Sequence, residues 1–332
     1  MKIIVDAMGG DFAPLAPVKG ALMAHERYGA DIILTGKEEK IMEAARQCGC
    51  KELPAGVEIV NAAEVVEICD DPATAFKRKK DSSLTVGLTM LHGGEADGFV
   101  SAGSTGALLA GATLVVKRIR GLRRAALAPT IPTAKGKAVL IDCGANADCT
   151  PEYLLQFAKM CRVYSQETLG VANPTVGLLN IGEEETKGSE FAQEVHQLLK
   201  AECPGFIGNA EGKNIALGGF DVIVTDGFSG NIMLKSIEGV GSFAGSALKG
   251  MFKKNLLTKL AALLVMPGLN EFKSRLDPNK VGGTAFIGIS RPVIKAHGGS
   301  NAEAIENAVG QAIQVAESGI TEAIAAHIDK MQ

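Results

Sequence analysis

Residues 220–231, Phe-Asp-Val-Ile-Val-Thr-Asp-Gly-Phe-Ser-Gly-Asn, decide the fold class. The run Val222–Val224 is continuously apolar, which is typical of a strand buried on both faces of a sheet. The stretches "KAVLID" (137–142) and "VGLLNI" (176–181) have the same pattern. Segments with helical periodicity follow most of these runs. Alternation of such strands with helices predicts a three-layer α/β/α architecture.

Ten segments along the chain have the pattern of a short strand: 2–7, 31–35, 57–60, 97–101, 137–142, 175–181, 205–208, 221–225, 284–289 and 292–296. The last two are so close that they form either a hairpin or a short crossover. Asn301 is expected to cap the last long helix, and Ile305, Ala308, Ala312, Ile313 and Ala316 form its buried stripe. No repeat or linker divides the chain, so we expect one compact unit or two intertwined lobes.

The composition excludes several classes of protein. Of 332 residues, 46% are hydrophobic and 21% are charged, so a core is available without disulfide or metal staples. The net charge of −3 argues against a nucleic-acid binder. The seven cysteines are scattered, without a C-x-x-C pair, as expected of reduced thiols in the cytoplasm. The apolar stretch 256–266 is too short to span a bilayer.

Three predicted strands end in glycine-rich turns: "DAMGGD" (6–11), "SAGSTGALLAG" (101–111) and "TDGFSGNIMLK" (225–235). Where such a turn opens into a helix, free N–H groups and the helix dipole favour an anion. The alternative is that these turns are simply tight connections. His297 ends another strand-like run beside two glycines, and it is either a site residue or a structural one.

Several familiar catalytic signatures are absent from the sequence. There is no Walker A motif, nucleophile elbow or H-E-x-x-H metal motif. The near match "GVGSFAG" (239–245) to a dinucleotide fingerprint lies inside a helical pattern. Cys143 is a possible nucleophile, but the sequence supplies no base beside it. The sequence therefore predicts no metal and no cofactor.

Charged and polar residues follow two further strands. In "NIGEEETKG" (180–188), three acids and Lys187 lie where the chain is expected to enter a helix. A cation there opposes the helix dipole unless an anion is nearby. Asp142 and Asn146 follow the strand 137–142. The acids alone are equally consistent with a solvated helix start.

Two basic clusters stand out in an acidic chain, at 77–80 and at 117–124. Each is either a solvated face or a local field for an anionic ligand or an acidic partner.

The segment 243–266 predicts an amphipathic helical hairpin. Its apolar residues share a face only if the helix is split at Asn255, which can cap the second piece. Pro267 and Gly268 are expected to end that piece. Two basic amphipathic helices suit a membrane surface or an apolar ligand, and they equally suit packing on the core or across a dimer. Leu260, Leu263, Leu264 and Val265 are the candidate membrane contacts.

Seven motifs occur in order along the chain: "VDAMGGD" (5–11), "KRKKDSS" (77–83), "SAGSTGAL" (101–108), "LIDCGANAD" (140–148), "LLNIGEEETKG" (178–188), "VTDGFSGN" (224–231) and "VIKAHG" (293–298). Together they closely resemble the bacterial phosphate acyltransferase family of phospholipid synthesis, over essentially the whole chain. That family converts acyl-ACP and inorganic phosphate into acyl-phosphate and free acyl carrier protein. A membrane glycerol-3-phosphate acyltransferase then uses the product.

The resemblance implies a single mixed sheet between helix layers, as in the isocitrate/isopropylmalate dehydrogenase and phosphotransacetylase fold, and a homodimer. The two lobes would be roughly 1–135 plus 285–332, and 136–284. It makes Lys187 and Asn231 the catalytic candidates. Candidates for binding phosphate or substrate are Gly9, Asp11, Ser82, Ser104, Thr105, Gly106, Asn146, Gly227, Ser229, Gly230 and His297. The implied location is the cytoplasm, peripherally at the membrane, with no nucleic-acid partner.

Two other functions stay open on the residues alone. One is an acyl-CoA phosphotransacetylase or a dehydrogenase on the same fold, although we find no acidic metal site or ribose-binding acid for a dehydrogenase. The other is a non-catalytic scaffold that binds membranes or an acyl carrier, which would leave the phosphate-compatible turns unexplained.

Overall fold

The computed structural model describes residues 1–67, 69–276 and 282–326, and for residues 269–276 it describes the backbone. Within these ranges a first sheet contains β1 (Lys2–Asp6), β2 (Asp31–Gly36), β3 (Val57–Asn61), β4 (Gly98–Ser101), β5 (Ala126–Ala128), β11 (Gly283–Ile287) and β12 (Val293–Ala296). Their order is β3-β2-β1-β4-β12-β11-β5. The strands β3, β2, β1, β4 and β12 are mutually parallel, and β11 is antiparallel to both of its neighbours.

A second sheet contains β6 (Thr130–Thr133), β7 (Gly136–Ile141), β8 (Val176–Asn180), β9 (Phe206–Glu211) and β10 (Val222–Val224). Their order is β6-β7-β10-β8-β9. Only the edge strand β6 is antiparallel to its neighbour within the described sheet. The carboxyl ends of β7, β10 and β8 therefore lie along one edge.

All ten predicted strands are present, but the expected single sheet is wrong, because the described strands form two sheets. The division falls at Pro129, between β5 in the first sheet and β6 in the second. Proline lacks the N–H group that a continuous ladder needs. Beside it, the Asp142 side chain takes the place of a backbone acceptor, since Oδ1 accepts from the Leu127 amide at 2.8 Å. The two short strands flanking Pro129 were not predicted, because Pro129 and Pro132 interrupt the apolar pattern of this stretch.

The described helices are α1 (Leu15–Tyr28), α2 (Glu38–Gln47), α3 (Ala75–Arg78), α4 (Ser83–Gly93), α5 (Thr105–Gly111), α6 (Pro151–Glu167), α7 (Glu190–Glu202), α8 (Gly212–Ala216), α9 (Gly227–Lys253), α10 (Leu256–Leu276), α11 (Ala302–Glu317) and α12 (Ile320–Ala326). A π-helical segment, Ala112–Lys117, continues α5.

Helices cover both faces of each sheet, as the alternation of side chains in the strands requires. In β1, Ile3 and Val5 belong to one core cluster and Ile4 to another on the opposite face. In β10, Val222 shares the first of these clusters, whereas Ile223 belongs to a third. One core cluster therefore runs continuously beneath both sheets and joins them.

Side-chain caps set two helix starts that the sequence predicts. Asn301 accepts the Ala304 amide at 2.9 Å and begins α11. Asn255 and Thr258 accept each other's backbone amides at the start of α10. The expectation that Pro267 ends this helix is wrong, since α10 continues through it to Leu276. An internal proline removes one helical hydrogen bond, and on this exposed helix water can satisfy the freed carbonyl.

Strands β11 and β12 form an antiparallel pair, which settles the earlier alternative in favour of a hairpin-like connection. Among the described helices, none is both long and apolar enough to cross a membrane.

Candidate functional site

Three turns meet at the carboxyl-terminal edge of the first sheet. They follow β1, β4 and β12, which are parallel neighbours. The Asp11 amide donates to the Gly298 carbonyl at 2.9 Å. A Cβ placed on Gly9 would lie 2.7 Å from the Gly103 nitrogen, closer than real Cβ atoms approach. Only glycine therefore fits at position 9. The sequence-predicted Gly9 lies beside the turn that begins α5, and Asp11 lies beside the turn that follows β12.

Asp6 and Ser101 form the buried floor beneath these turns. The Ser101 hydroxyl donates to Asp6 Oδ2 at 2.7 Å, and the Met8 amide donates to Oδ1 at 3.1 Å. Burial raises the pKa of Asp6, while these hydrogen bonds act against the increase. The carboxyl group is thus occupied in shaping the turn.

Lys295 in β12 is a further candidate at this edge that the sequence reasoning did not single out. Its side chain is buried, and Nζ donates to the carbonyl of Ala102 at 3.5 Å and to that of Ala296. Burial lowers its pKa to about 8, helped by the charge of Lys235. The available signal was a lysine inside an otherwise apolar four-residue strand.

His297 and Asp11 lie exposed at the rim of this edge. The Nδ1 atom of His297 accepts the Gly299 amide at 3.1 Å, and a Cβ on Gly299 would lie 3.7 Å from Asp11 Oδ2. The structure therefore brings both predicted residues to the same place as Gly9.

The predicted residues of the motifs "SAGSTGAL" (101–108) and "KRKKDSS" (77–83) have local structural partners. Ser104 begins α5 by accepting the Ala107 amide at 3.5 Å, and Thr105 is the first residue of that helix. A Cβ on Gly106 would lie 3.0 Å from Pro72. Ser82 is fully buried, where it caps α4 and donates to Thr85 Oγ1 at 2.9 Å. The structure thus places Ser82 in the interior and Ser104 at the surface turn.

At the second sheet, Asp142 and Asn146 form a turn in which their polar side-chain groups are engaged. Asp142 Oδ2 accepts the backbone and side-chain N–H groups of Asn146 at 2.6 and 3.0 Å. Asn146 Nδ2 also donates to the Ala125 carbonyl at 2.8 Å. Burial raises the pKa of Asp142, and these hydrogen bonds act in the opposite direction. This turn joins the second sheet to the segment leading into β5.

The start of α9 packs directly against that turn. A Cβ on Gly230 would lie 1.9 Å from the Asp142 carbonyl oxygen, and one on Gly227 would lie 2.6 Å from that of Asn146. Asp226 caps the helix by accepting the Ser229 amide at 2.8 Å and the Ser229 hydroxyl at 2.9 Å. The predicted glycines at 227 and 230 therefore permit close packing of backbone on backbone.

Lys187 and Asn231 follow the neighbouring parallel strands β8 and β10. Both side chains are exposed, and neither polar group has a hydrogen-bond or ion-pair partner among the described residues. Asn231 Oδ1 lies 3.6 Å from the position of a Cβ on Gly144. Lys187 precedes rather than begins a helix, since α7 starts at Glu190 with Ser189 as its cap. No hydrogen bond joins the two side chains in the described structure.

Helix α9 links the two edges. Asn231 and Lys235 are four residues apart on it, so they share one face. Lys235 is close enough to Lys295 for its charge to lower the pKa of Lys295. Asn231 thus lies one helical turn from Lys235, whose charge acts on Lys295 at the edge of the first sheet.

The thiol of Cys143 does not fit the role of a nucleophile. It is buried, burial raises its pKa, and its nearest polar partner is the Leu140 carbonyl at 3.7 Å. Over the described residues, no group of three or more His, Cys, Asp or Glu side chains is arranged to hold a metal ion.

The two basic clusters differ in how far their charges are engaged. In the first, Lys79 forms an ion pair with Asp70 at 2.6 Å. In the second, the Arg124 guanidinium lies 5.5 Å from the centre of the Tyr153 ring, and Arg118 donates to the Arg123 carbonyl. Lys117, Arg120 and Arg123 are exposed.

A family model and the full-length relatives agree on the family to which this chain belongs. A family model described as "Fatty acid synthesis protein" matches residues 1–323. The phosphate acyltransferase of Thermoanaerobacterium thermosaccharolyticum is 44% identical, covering 99% of this chain and 97% of its own. That of Alkaliphilus oremlandii is 46% identical, covering 100% and 98%.

The fold resembles a crystal structure of a phosphotransacetylase from Streptococcus pyogenes. The TM-score is 0.63 and the identity 17%, with 96% of this chain and 94% of that chain covered. At this identity the likeness describes the fold alone, and it extends over both sheets.

Proposed function

This chain belongs to the family described as fatty acid synthesis proteins, and on that premise we propose that it transfers a fatty acyl group from acyl carrier protein to inorganic phosphate. The products are an acyl-phosphate for phospholipid synthesis and free carrier. The observation that carries the proposal is the pair Lys187 and Asn231, which follow adjacent parallel strands and whose side-chain polar groups have no partner among the described residues.

In the proposed reaction, a phosphate oxygen attacks the thioester carbonyl carbon. The C–S bond breaks, and the carrier thiol leaves with a proton from the medium. Near neutral pH a large fraction of phosphate is already dianionic, so it needs positioning more than deprotonation. Negative charge develops on the carbonyl oxygen before the bond breaks. This reaction requires a cation and a hydrogen-bond donor, and it does not require a covalent nucleophile.

Lys187 and Asn231 supply these two groups. The Lys187 ammonium orients phosphate or neutralises the developing charge, and the Asn231 amide donates to the oxyanion. Such donors lower the barrier because they are in place before charge develops. The turns containing Gly9, Asp11, Ser104, Thr105 and His297 supply the surroundings of phosphate. The packed turn of Asn146, Gly227, Ser229 and Gly230 holds Asn231 in position.

The test is phosphate-dependent release of free thiol from acyl carrier protein, with the acyl-phosphate trapped as a hydroxamate by hydroxylamine. Reactions without phosphate correct for direct attack of hydroxylamine on the thioester. Turnover with acyl-CoA but not with the acylated carrier would favour a phosphotransacetylase. A folded protein that binds acylated carrier without phosphate-dependent turnover would favour the scaffold.

The end of the α9–α10 pair supports binding to an anionic membrane surface. Leu260, Leu263, Leu264 and Val265 are all exposed, with 85% of Leu264 accessible. Residues 239–268 contain four lysines and no acid. Each lysine near an anionic headgroup contributes roughly 1 kcal/mol. This location would place acyl-phosphate release beside the membrane glycerol-3-phosphate acyltransferase, with the body of the protein in the cytoplasm.

Replacing Leu260 and Leu264 by glutamate tests the membrane contact. We expect the variant to lose co-sedimentation with vesicles containing anionic lipid, while soluble turnover is retained. The lysines Lys249 and Lys253, changed to glutamine, serve as a matched test of the electrostatic part. Unfolded or dissociated protein would show that the leucines pack against protein, and the membrane proposal would then fall.

A homodimer is the proposed assembly. Val240, Phe243 and Met251 on α9 are exposed apolar residues apart from the tip of α10. A contiguous apolar face of this kind typically marks an interface. Sedimentation of the full chain measures the mass directly, and a Phe243→Glu variant should shift it toward the monomer.

A further inference from the structure

Lys295 is a buried cation without a carboxylate partner. Only 8% of the residue is exposed, and it forms none of the ion pairs found among the described residues. Among the residues that the structure describes, its Nζ donates to the carbonyl oxygens of Ala102 and Ala296 and to no other group. Carbonyls satisfy N–H donors but do not neutralise the charge, and buried charges are normally paired. An ammonium group in this environment therefore favours the binding of an anion.

The neighbouring carboxyl groups do not fill that role. Asp6 is occupied by the Ser101 hydroxyl and the Met8 amide. Asp11 lies exposed at the rim and acts on Lys295 at longer range. The ammonium group is therefore held beneath the glycine turns after β1 and β4, with one N–H available beyond its two carbonyl partners.

We infer that Lys295 binds the oxygens of the inorganic phosphate substrate at the turns containing Gly9 and Gly103. This assignment rests on the proposed function and places the phosphate at the edge of the first sheet. Lys295 then acts together with Lys187 and Asn231, which lie at the edge of the second sheet. The lysine emerges from the core rather than from a mobile surface loop, so its position is fixed before phosphate arrives.

The charged and titratable groups around Lys295 come from four elements. Asp6 ends β1, Asp11 belongs to the following turn, His297 follows β12, and Lys235 projects from α9. Burial and Lys235 lower the pKa of Lys295 to about 8, whereas Asp11 and Asp6 act to raise it. A bound phosphate dianion favours the protonated amine. Binding phosphate therefore draws a proton onto Lys295 at mildly alkaline pH.

This predicts an alkaline limb in the rate. The pH dependence of kcat/KM for phosphate reports groups of the free enzyme. In the unmodified protein it should decline as pH rises through about 8, because Lys295 loses its proton there. Phosphate itself stays dianionic over this range.

The experiment compares the full-length protein with Lys295→Met, which keeps the length and apolar character of the side chain. Lys159→Met is the matched control, since Lys159 in α6 is a largely buried lysine that forms an ion pair with Glu202 of α7. We expect Lys295→Met to raise KM for phosphate at least tenfold, to leave KM for acylated carrier unchanged, and to lack the alkaline limb. Lys159→Met should keep all three properties.

A second measurement needs no variant and no turnover. Calorimetric titration of the unmodified protein with inorganic phosphate at pH 8.5, in buffers of different ionisation enthalpy, should show uptake of a fraction of a proton. If transfer to phosphate is never observed but proton-linked phosphate binding is, then the proposed reaction fails and the Lys295 site stands.

Three results would overturn the inference. The first is an unchanged KM for phosphate and an unchanged alkaline limb in folded Lys295→Met. The second is a rise in KM confined to the acylated carrier, which would place the lysine against the donor. The third is phosphate binding to the unmodified protein without proton uptake, which decides the matter even if the variant does not fold.

Discussion

Two polar clusters lie next to each other at the edge of the second sheet and differ in whether their polar side-chain groups have hydrogen-bond partners. In the turn of Asp142 and Asn146, the carboxylate and amide groups are used by backbone and side-chain partners. In the pair Lys187 and Asn231, neither polar group has a partner among the described residues. Both clusters lie in glycine-rich strand-end motifs. Motif membership therefore does not separate structural from chemical residues, but an account of hydrogen-bond partners does.

The largest expected effect is on turnover, and it comes from replacing Lys187 or Asn231. Lys187→Ala and Asn231→Ala should each lower turnover by about 100-fold or more, since the loss of one oxyanion donor typically costs that much. The free energy of unfolding should stay within about 0.5 kcal/mol, because surface changes without partners cost little. Phosphate-dependent thiol release and urea unfolding measure the two quantities.

Lys40→Ala, on the exposed side of α2, is the control for removing a surface lysine. Near-normal phosphate-dependent turnover in both Lys187→Ala and Asn231→Ala would erase the distinction between the two clusters.

The paired cluster should respond in stability instead. Asn146→Ala removes two side-chain hydrogen bonds and leaves the Ala125 carbonyl without its donor. We expect the free energy of unfolding to fall by about 1–3 kcal/mol. The folded fraction should keep its KM for phosphate within a few-fold. A large rise in that KM at unchanged stability would instead make Asn146 a substrate contact.

Lys295 is intermediate between the paired and the unpaired cluster, since it is buried but has no carboxylate partner among the described residues. The pH dependence of stability tests this. Its pKa is about 8 in the folded chain, against an ordinary value of 10.5. Between these values the unfolded chain binds more protons, so stability rises with pH. The slope is at most about 1.4 kcal/mol per pH unit. Buried thiols such as Cys161, whose pKa is raised by burial, contribute in the opposite direction, so the lysine is isolated by comparison with Lys295→Met. In urea unfolding at pH 8 and pH 10, without phosphate, the unmodified protein should gain stability relative to Lys295→Met as the pH rises. Parallel pH dependences would refute it.

The smallest expected effect concerns surface cations that dock the carrier. In the second basic cluster, exposed Arg123 and the ring-stacked Arg124 are proposed to attract acidic acyl carrier protein. Charge reversal of both should raise KM for the acylated carrier several-fold at low salt. The effect should shrink at higher salt, because the screening length is about 10 Å at 0.1 M. An unchanged KM at low salt would move docking elsewhere.

The strand pattern was predictable because buried parallel strands leave long apolar runs. Asn255 and Asn301 were predictable as caps because capping depends on a few neighbouring residues. The division into two sheets was not, since it depends on Pro129 and on a single side chain, Asp142, reaching the Leu127 amide from 15 residues away. Local sequence carries no record of such a contact.

The candidate site divides in the same way. The turns were found because glycine marks close backbone approach, as the contact between Gly9 and Gly103 shows. The partners within the turns were not visible. The motif around Ser82 predicts a site residue, but Ser82 is fully buried as a helix cap. The pattern around Lys295 predicts only a strand, yet its side chain lies among the turns.

The four lysines of residues 239–268 have a consequence for how the molecule turns in solution. The whole chain has a net charge of −3, and this segment contributes four positive charges, which leaves −7 on the rest. The protein is therefore an electric dipole whose positive end is the α9–α10 pair. In the field of a negatively charged surface such a dipole experiences a torque over about a Debye length, roughly 8 Å at physiological salt. In the proposed membrane contact, this torque would turn the α9–α10 pair toward the surface before its leucines reach the lipid.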